Sequence, residues 1–392
     1  MTINFDPRSP DFRRNPYPYY DQLRQAAPIF FWEAWGVYFL TRHTDCSELL
    51  REERLGHGIM GEPPAEQSAL FAMQSNWLLF KNPPDHTRLR GLVHKAFSPR
   101  MVEQLRGTVQ SITDQLLDRV QDKGEMDLVG ALAYPLPVTV IATMLGIPEG
   151  DRDTFHHWSD ALGRSLDLTD DPTVYQRATL AAAEFTDYLR ELAARRRAEP
   201  ANDLLSALVA VEEAGEHLSE AELYATCSLL LVAGHETTIN LIGNGALALL
   251  QNPEQWRLLQ EEPTLIKNAV EEFLRYDSPV QATSRVVLED FDYQGTSFHR
   301  GQQVTFMLGG ANRDPAAFDE PNRLDVIRKR NPHLALGSGI HYCLGAPLAR
   351  MEGQIAFETL LRRMPNLQLT NETPILRDNY LLRGLEKLPT RF

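Results

Sequence analysis

The spacing of apolar residues favours helices over most of this chain. Apolar positions recur every three to four residues, the period that aligns them on one face of a helix. The sequence therefore predicts helices at residues 17–26, 86–97, 102–120, 137–145, 219–250, 264–276 and 344–363. Two further long helices are predicted to end near Leu168 and Arg197, with Pro172 between them.

The longest predicted helix, 219–250, carries signals at both ends. It opens with Ser219 and Glu222, the spacing of a capping box in which each side chain accepts a bond from the other residue's backbone N–H. It stops before Asn252 and Pro253, because proline cannot continue a helix.

Alternating apolar and polar positions predict a smaller β portion. Residues 30–32 and 37–40 read as a hairpin around Gly36, and three further strands are predicted at 284–288, 293–298 and 303–307. The β-rich portion is expected to come from about 28–41, 280–308 and 366–392. Residues 311–332 are rich in Asn, Asp, Arg and Pro and predict an irregular loop.

No linker, repeat or low-complexity tract divides the sequence, which predicts one domain over residues 1–392. The fold class is mainly α with a small β portion. The hydrophobic content of 43% is enough for a substantial core.

The charge balance narrows the possible partners. The 39 basic and 53 acidic side chains give a net charge of −14, which argues against nucleic-acid binding. The polar, proline-rich start does not resemble a signal peptide, and no apolar run has membrane-spanning length. Three widely separated cysteines argue against a disulfide framework. We expect a cytoplasmic monomer that binds neither nucleic acid nor membrane.

One of these cysteines has an unusual setting. Cys343 lies in the run LGSGIHYCLGAPLAR, residues 336–350, where a glycine-rich turn leads into a helix. The positive end of a helix dipole favours an anionic sulfur, and glycines let a large flat ligand approach the backbone. A thiolate with no other protein ligand nearby points to haem iron. For Cys46 and Cys227 we favour the simpler reading of a buried apolar residue.

This run resembles the haem-binding loop of the cytochrome P450 family, F-x-x-G-x-x-x-C-x-G. Gly339, Cys343 and Gly345 match its fixed positions, while Leu336 stands where phenylalanine is usual. The resemblance implies haem b, iron protoporphyrin IX, with the Cys343 thiolate as axial metal ligand and Leu336 and Gly337 beside the cofactor. It also implies the family fold, a helical prism with minor β-sheets.

A second motif, AGHETT, lies within the longest predicted helix. Glycine inside a helix costs about 1 kcal/mol relative to alanine, so Gly234 requires a reason. The run resembles the family's A-G-x-[DE]-T signature, which implies that Ala233 and Gly234 lie at the cofactor and that Glu236 and Thr237 are the catalytic residues that guide protons. A tolerated glycine on a polar helix face remains the alternative. A zinc-protease helix is excluded, since Ile239 replaces the second histidine.

Glu272 and Arg275 are three residues apart on a predicted helix and can pair. They resemble the family's E-x-x-R helix, and Arg323 matches the third member of that structural network. Leu324 replaces a more common phenylalanine.

The resemblance also implies residues for the haem propionates. These are His86, Arg90, Arg285 and His341. Any one of them, taken alone, could be an ordinary surface cation.

The substrate pocket is predicted from apolar residues in expected loops. Residues 62–80 should form a loop over the haem that contributes Leu70, Phe71, Trp77 and Leu78, although these side chains could equally anchor the loop in the core. Family analogy adds four residues, Val280, Gln281, Leu381 and Leu382.

Together the motifs predict a haem-thiolate monooxygenase that hydroxylates or epoxidises an apolar small molecule, with a role in secondary metabolism. Electrons should come from a separate ferredoxin or flavodoxin with its own reductase, since no dinucleotide fingerprint is present. An acidic partner would need a basic patch, predicted at Arg88, Lys95, Arg328 and Lys329.

Other functions remain open at this point. They are a peroxygenase or nitric oxide reductase of the same fold, a non-catalytic haem sensor or carrier, and a helical interaction protein without cofactor. The Glu236–Thr237 pair argues against a peroxygenase, because the resemblance implies that such relatives tend to have other residues in place of this acid and alcohol. It also argues against a sensor or carrier, in which a proton relay would have no purpose.

Overall fold

The computed structural model describes residues 5–58, 67–166, 171–213 and 215–392. Contacts divide the chain into two compact units. The first unit contains Met1–Gly58, Thr113–Ala133 and Thr237–Phe392, and the second unit contains Ile59–Ile112 and Tyr134–Glu236.

Helices account for most of the described residues. In chain order the α-helices are α1 (Pro10–Arg14), α2 (Tyr17–Ala26), α3 (His43–Leu49), α4 (Ser68–Gln74), α5 (Asp85–Ala96), α6 (Pro99–Gln104), α7 (Arg106–Asp118), α8 (Pro135–Leu145), α9 (Arg152–Arg164), α10 (Pro172–Ala198), α11 (Leu204–Ala210), α12 (Glu220–Gln251), α13 (Pro253–Glu261), α14 (Ile266–Tyr276), α15 (Leu308–Ala311) and α16 (Ala346–Arg363). Short 3₁₀ turns lie at Leu78–Phe80, Glu149–Asp151, Pro263–Leu265 and Gly339–His341, and a π-helical turn at Val129–Ala133.

The strands are short. They are β1 (Ile29–Trp32), β2 (Val37–Leu40), β3 (Leu55–Gly56), β4 (Glu125–Asp127), β5 (Glu212–Glu213), β6 (Glu216–His217), β7 (Thr283–Val287), β8 (Phe291–Tyr293), β9 (Thr296–Phe298), β10 (Gln303–Phe306), β11 (Gln368–Leu369), β12 (Ile375–Leu376), β13 (Leu385–Lys387) and β14 (Pro389–Arg391).

A five-stranded sheet in the order β1-β2-β10-β7-β3 organises the first unit. The predicted hairpin is confirmed, and Gly36 takes the positive φ of 65° that its turn requires. The strand predicted at 293–298 is instead the hairpin β8-β9, because Gln294 and Gly295 both have positive φ and reverse the chain. The irregular loop predicted at 311–332 is confirmed except at its first residue, Ala311, which ends α15; residues 312–338 contain no helix or strand.

The α14 helix shows how apolar spacing creates the core of the first unit. Five apolar residues at helical spacing are buried on one face, namely Ile266, Ala269, Val270, Phe273 and Leu274. Phe273 packs against Phe357 of α16 with ring centroids 4.7 Å apart. This packing holds α14 beside α16, the helix that follows Cys343.

The α12 helix begins and ends where its signals predict. Ser219 N–H donates to the Glu222 carboxylate at 2.8 Å, and Glu222 N–H donates to Ser219 Oγ at 3.2 Å, which confirms the capping box. The predicted 102–120 helix is instead two helices, α6 and α7, which meet at Leu105.

The second unit contains helices α4, α5, α6 and α8 to α11, the first part of α7 as far as Ile112 and the first part of α12 as far as Glu236, with the β5-β6 hairpin between α11 and α12. The predicted loop at 62–80 is partly wrong, because residues 68–74 form α4; residues 62–66 lie outside the described residues. No helix in the described ranges combines the length and apolar character needed to cross a membrane.

Candidate functional site

The cysteine segment lies between the Gly339–His341 turn and α16. The Cys343 N–H donates to the Leu336 carbonyl at 2.9 Å, closing the loop around the glycines. Gly337 and Gly339 adopt φ values of 73° and 68°, which L side chains rarely adopt. Gly345 caps the N-terminus of α16, so the thiol lies next to the positive end of that helix.

Close approach explains Gly339. A Cβ there would lie 2.7 Å from the Leu50 carbonyl oxygen, a distance that the backbone cannot relieve. A Cβ at Gly345 would lie 3.9 Å from Cys343 Sγ, an ordinary van der Waals contact. The cysteine is partly exposed, so the loop keeps the sulfur accessible.

Glu271 of α14 ties down both ends of this segment. On the N-terminal side His333 Nε2 lies 3.0 Å from its carboxylate, and on the C-terminal side Arg350 donates two bonds of 2.7 and 2.8 Å. Burial opposes ionisation of Glu271, but the bonds and charges of Arg350 and His333 outweigh it and lower its pKa to about 2. The cysteine loop is therefore anchored at both ends by one carboxylate.

Glu272, the next residue, is fully buried and also paired. It accepts two bonds of 2.7 Å from Arg275, as its spacing predicts. Its second cationic partner, and the third member of this network, is Arg328, whose Nε donates at 3.0 Å. The prediction that Arg323 fills this place is wrong. The Arg323 side chain is 55% exposed and pairs with Glu320, and only its backbone carbonyl accepts a bond from Arg275.

The pairing of Arg328 with Glu272 also removes one residue from the predicted basic patch. Arg328 is 8% exposed and belongs to the Glu272 network, so it is not a surface cation. Arg88 pairs with Glu222. Lys95 and Lys329 are exposed, as predicted.

Arg285 is a buried cation on β7. Its guanidinium donates to two neutral acceptors, Thr283 Oγ1 and the Ser284 carbonyl, and it forms no ion pair within the part of the chain described. Burial lowers its pKa to about 10. A buried arginine without a carboxylate suits a ligand that brings its own anionic groups.

His341 contacts a histidine that the motifs did not reveal. The rings of His57 and His341 meet edge to face with centroids 4.8 Å apart. His57 follows β3, which pairs with β7 through Gly56 and Val286, next to Arg285. The first unit therefore brings the cysteine turn and the end of the Arg285 strand into one neighbourhood. No spacing rule marks His57, because its contact is long-range.

The other two predicted propionate residues lie in the second unit. His86 and Arg90 are one turn apart on α5, so their side chains share one helix face. His86 is buried and Arg90 is partly exposed.

The AGHETT segment lies on α12, which is helical without interruption through it. Ala233 is exposed and Gly234 and Thr237 are partly exposed, although most of this apolar helix is buried. Leu229 and Leu230 continue the same accessible face one turn earlier. The accessible stripe along this long helix is mostly apolar, a surface that suits contact with a flat apolar ligand. Leu229 and Leu230 could have been predicted from helical spacing alone.

Close packing explains Gly234, and burial distinguishes Glu236. A Cβ at Gly234 would lie 2.8 Å from Ile141 Cδ1 of α8. Glu236 is 5% exposed and faces α9, where a Cβ at Gly163 would lie 3.2 Å from its Cγ. The segment therefore holds a buried carboxyl group beside an accessible helix face.

The predicted pocket residues of 62–80 fall into two groups. Leu70 and Phe71 line a cavity of about 280 Å³ in the second unit, together with Phe80, Leu166 and Tyr175 among others. Trp77 is fully buried and donates its indole N–H to Ser228 Oγ at 2.7 Å, and Leu78 is also buried. Trp77 therefore anchors the segment in the core, which is the alternative reading of these residues.

Backbone pairing brings the remaining pocket residues together. Val280 and Leu382 form an isolated bridge, and Gln281 N–H donates to the Leu381 carbonyl at 2.9 Å. The Gln281 side chain is buried, accepting from Tyr20 and donating to the Ser278 carbonyl. Its amide is therefore a structural group.

Comparisons with known proteins agree with this geometry. The family model described as Cytochrome P450 matches residues 14–384. The polyketide biosynthesis cytochrome P450 PksS of Bacillus subtilis (strain 168) is 41% identical over 402 residues, covering 99% of this chain and 98% of the relative. The vitamin D(3) 25-hydroxylase of Pseudonocardia autotrophica is 42% identical over 395 residues, covering 99% and 96%.

A solved structure has the same fold. The crystal structure of P450BioI in complex with an acyl carrier protein ligated to hexadec-9Z-enoic acid superposes with a TM-score of 0.93 at 40% identity. The match covers 97% of this chain and 99% of that chain.

Proposed function

Because this chain belongs to the cytochrome P450 family and is therefore a haem-dependent monooxygenase, we propose that it inserts one oxygen atom of O2 into an apolar small molecule. The other oxygen atom leaves as water, with two protons and with two electrons from a separate ferredoxin or flavodoxin. The product is an alcohol or an epoxide. The observation that carries this proposal is Cys343, held in a glycine loop at the N-terminus of α16.

The residues of the loop fit the cofactor. The family uses haem with an axial cysteine thiolate, and Cys343 is the cysteine outside the core, whereas Cys46 and Cys227 are buried. Arg285, which has no carboxylate partner among the residues that the structure describes, suits a haem propionate, and so do His341, His86 and Arg90. Bound haem supplies the redox chemistry, and thiolate ligation tunes its iron.

The protein's own catalytic contribution is proton control. In this proposal the Glu236 carboxyl holds an exchangeable proton in a buried position, and the adjacent Thr237 hydroxyl passes it toward the accessible face of α12. Positioned acid–base groups of this kind contribute roughly 10²- to 10⁴-fold to a rate.

The proposed substrate class follows from apolar surfaces. Leu229 and Leu230 are apolar residues on the accessible face of α12. The cavity of the second unit has an apolar side formed by Leu70, Phe71, Phe80 and Leu166, and polar groups from Gln67, Gln74, Ser165 and Tyr175. Relatives named for polyketide biosynthesis and for vitamin D(3) hydroxylation support a large apolar substrate and a role in secondary metabolism.

A revised patch replaces the predicted electron-partner surface. Lys329 and Arg330 are exposed beside Ile327, whose side chain is 52% exposed, on the segment that leads to the cysteine loop. We expect Lys329→Glu with Arg330→Glu to weaken turnover driven by an acidic ferredoxin and to spare turnover driven by peroxide. Arg300→Glu, an exposed change elsewhere, is the control. Equal loss of both activities in the double variant would contradict this surface.

Ligation by Cys343 is tested by absorbance. The reduced, carbon-monoxide-treated protein should show the long-wavelength band of thiolate ligation, and Cys343→Ala should abolish it. Cys227→Ala, which changes a buried cysteine, should retain the band. A band that survives Cys343→Ala would overturn the proposal, and oxygen binding with neither oxygen consumption nor product would favour a sensor or carrier.

A further inference from the structure

Three metal-ligating side chains converge in the second unit. They are Asp160 on α9 and His235 and Glu236 on α12, and one ligand atom from each lies within 4.8 Å of the others. His235 is fully buried, while the Asp160 side chain is 46% exposed. The cluster therefore joins a buried interior to solvent, which gives an ion a route of entry.

The histidine is oriented as a metal ligand would be. Ser159 Oγ lies 2.7 Å from His235 Nδ1, and the Leu231 carbonyl lies 3.2 Å from the same nitrogen. A carbonyl or hydroxyl partner on one ring nitrogen fixes the ring and leaves the other nitrogen as a ligand. That other nitrogen, Nε2, lies 3.5 Å from Glu236 Oε1, 3.9 Å from Asp160 Oδ1 and 3.3 Å from Ser159 Oγ.

Asp160 has similar support. The Tyr134 hydroxyl donates to Asp160 Oδ2 at 3.1 Å, which leaves Oδ1 directed at the histidine. Tyr134 also lies near His235, with ring centroids 6.4 Å apart. Both ends of the cluster thus have partners that orient the ligand atoms.

The distances from His235 Nε2 to the two carboxylates can be compared with those expected for a shared proton and for a shared metal ion. Hydrogen bonds between nitrogen and oxygen span about 2.7–3.2 Å, shorter than the two nitrogen–carboxylate separations here. Zinc binds nitrogen and oxygen ligands at about 2.0–2.2 Å in a tetrahedron, whose ligand atoms lie about 3.3–3.6 Å apart. Separations of 3.5 and 3.9 Å are closer to that spacing.

We propose that Asp160, His235 and Glu236 form a binding site for Zn²⁺, with water completing the coordination. One imidazole and two carboxylates are a donor set that suits this ion. Resting on the function proposed above, we add that zinc inhibits the enzyme, because a carboxylate bound to the ion cannot carry protons to Thr237.

The binding test uses haem-loaded, tag-free protein cleared of metal with a chelator. Titration calorimetry with zinc chloride should show one site that is lost in two variants, Asp160→Asn and His235→Gln, each lowering affinity by about 10- to 100-fold or more. Asp153→Asn, an exposed change in the first turn of α9, is the matched control and should bind as the parent does. Because Asp160 is half exposed, its variant should fold, which the carbon monoxide spectrum and melting temperature check.

X-ray absorption at the zinc edge gives an independent reading. We expect a shell of nitrogen and oxygen at about 2.0–2.2 Å, whereas zinc at Cys343 would show sulfur at about 2.3 Å. A sulfur shell, or zinc binding that Asp160→Asn and His235→Gln leave unchanged, would overturn the site.

Turnover measurements test the zinc site and the proposed proton role of Glu236 independently. Saturating zinc should lower electron-driven turnover, and a chelator should restore it. If zinc binds at these residues and turnover does not fall, the site stands and the proton role of Glu236 is overturned. If zinc does not bind, the site is overturned whatever Glu236 does.

Discussion

Two pairs of helix-borne carboxylates in this protein have opposite surroundings. Glu271 and Glu272 of α14 accept bonds of 2.7–3.0 Å from arginines and lie in or beside the core. Asp160 and Glu236 face His235 at 3.9 and 3.5 Å. The first pair is neutralised at hydrogen-bond distance and stabilises the fold. The second pair lies around a buried imidazole at longer distances, which is the arrangement on which the proposed zinc site rests.

The largest expected effect comes from breaking the first pair. Glu272→Gln leaves Arg275 and Arg328 buried without a counter-charge, so we expect a loss of about 3–5 kcal/mol in the free energy of unfolding. Denaturant unfolding measures it. Glu320→Gln removes the same charge from an exposed pair with Arg323 and should cost about 0.5 kcal/mol or less. Similar losses of unfolding free energy in Glu272→Gln and Glu320→Gln would contradict the distinction between the buried and the exposed pair.

The second-largest expected effect is a difference in stability between alanine variants of two arginines in the same loop. Arg328→Ala should destabilise by about 3 kcal/mol, because it removes a buried partner of Glu272. Arg323→Ala should change stability by about 0.5 kcal/mol or less, since its side chain is exposed. Thermal melting of both variants tests this prediction. A larger loss of stability in Arg323→Ala than in Arg328→Ala would show that Arg323 is the partner that Glu272 depends on.

A smaller effect is expected from pH. The pKa of Glu271 is depressed from 4.5 to about 2, so its contribution is present above pH 4.5 and is lost as pH falls toward 2. We expect about 2 kcal/mol from this group after allowance for solvent screening. As pH falls through this range, the unfolding free energy of the parent protein should approach that of Glu271→Gln. A difference that does not depend on pH would contradict the role of ionisation.

Among the substitutions of buried carboxylates, the smallest change in stability is expected at Glu236. Glu236→Gln should alter the free energy of unfolding by about 1 kcal/mol or less, because glutamine has nearly the same volume and keeps one hydrogen-bonding oxygen. Turnover should nevertheless fall by about 10²-fold. Paired denaturation and rate measurements test the prediction, and a stability loss as large as that of Glu272→Gln would make Glu236 a structural residue.

The sequence correctly predicted structural features that depend on residues close together in the chain. The capping box at Ser219, the hairpin at Gly36 and the Glu272–Arg275 pair depend on residues close in sequence, and the structure confirms all three. Family spacing also identified the cysteine loop. Helix and strand types were predicted better than their breaks, as the α6–α7 division illustrates.

Long-range contacts were not predictable in the same way. Arg323 and Arg328 lie in one irregular loop, and only its folded path decides which guanidinium reaches Glu272. The approach of Asp160 to His235 requires α9 to pack beside α12, which no single-segment pattern specifies. His57 was missed for the same reason.

The double attachment of the cysteine segment to Glu271 has a consequence for how the thiol is held. With His333 and Arg350 joined through one carboxylate, the chain between them is a noncovalent macrocycle. In such a ring the number of residues constrains position as strictly as their identity does. Inserting or deleting a single residue there should displace the sulfur even where every contacting side chain is preserved.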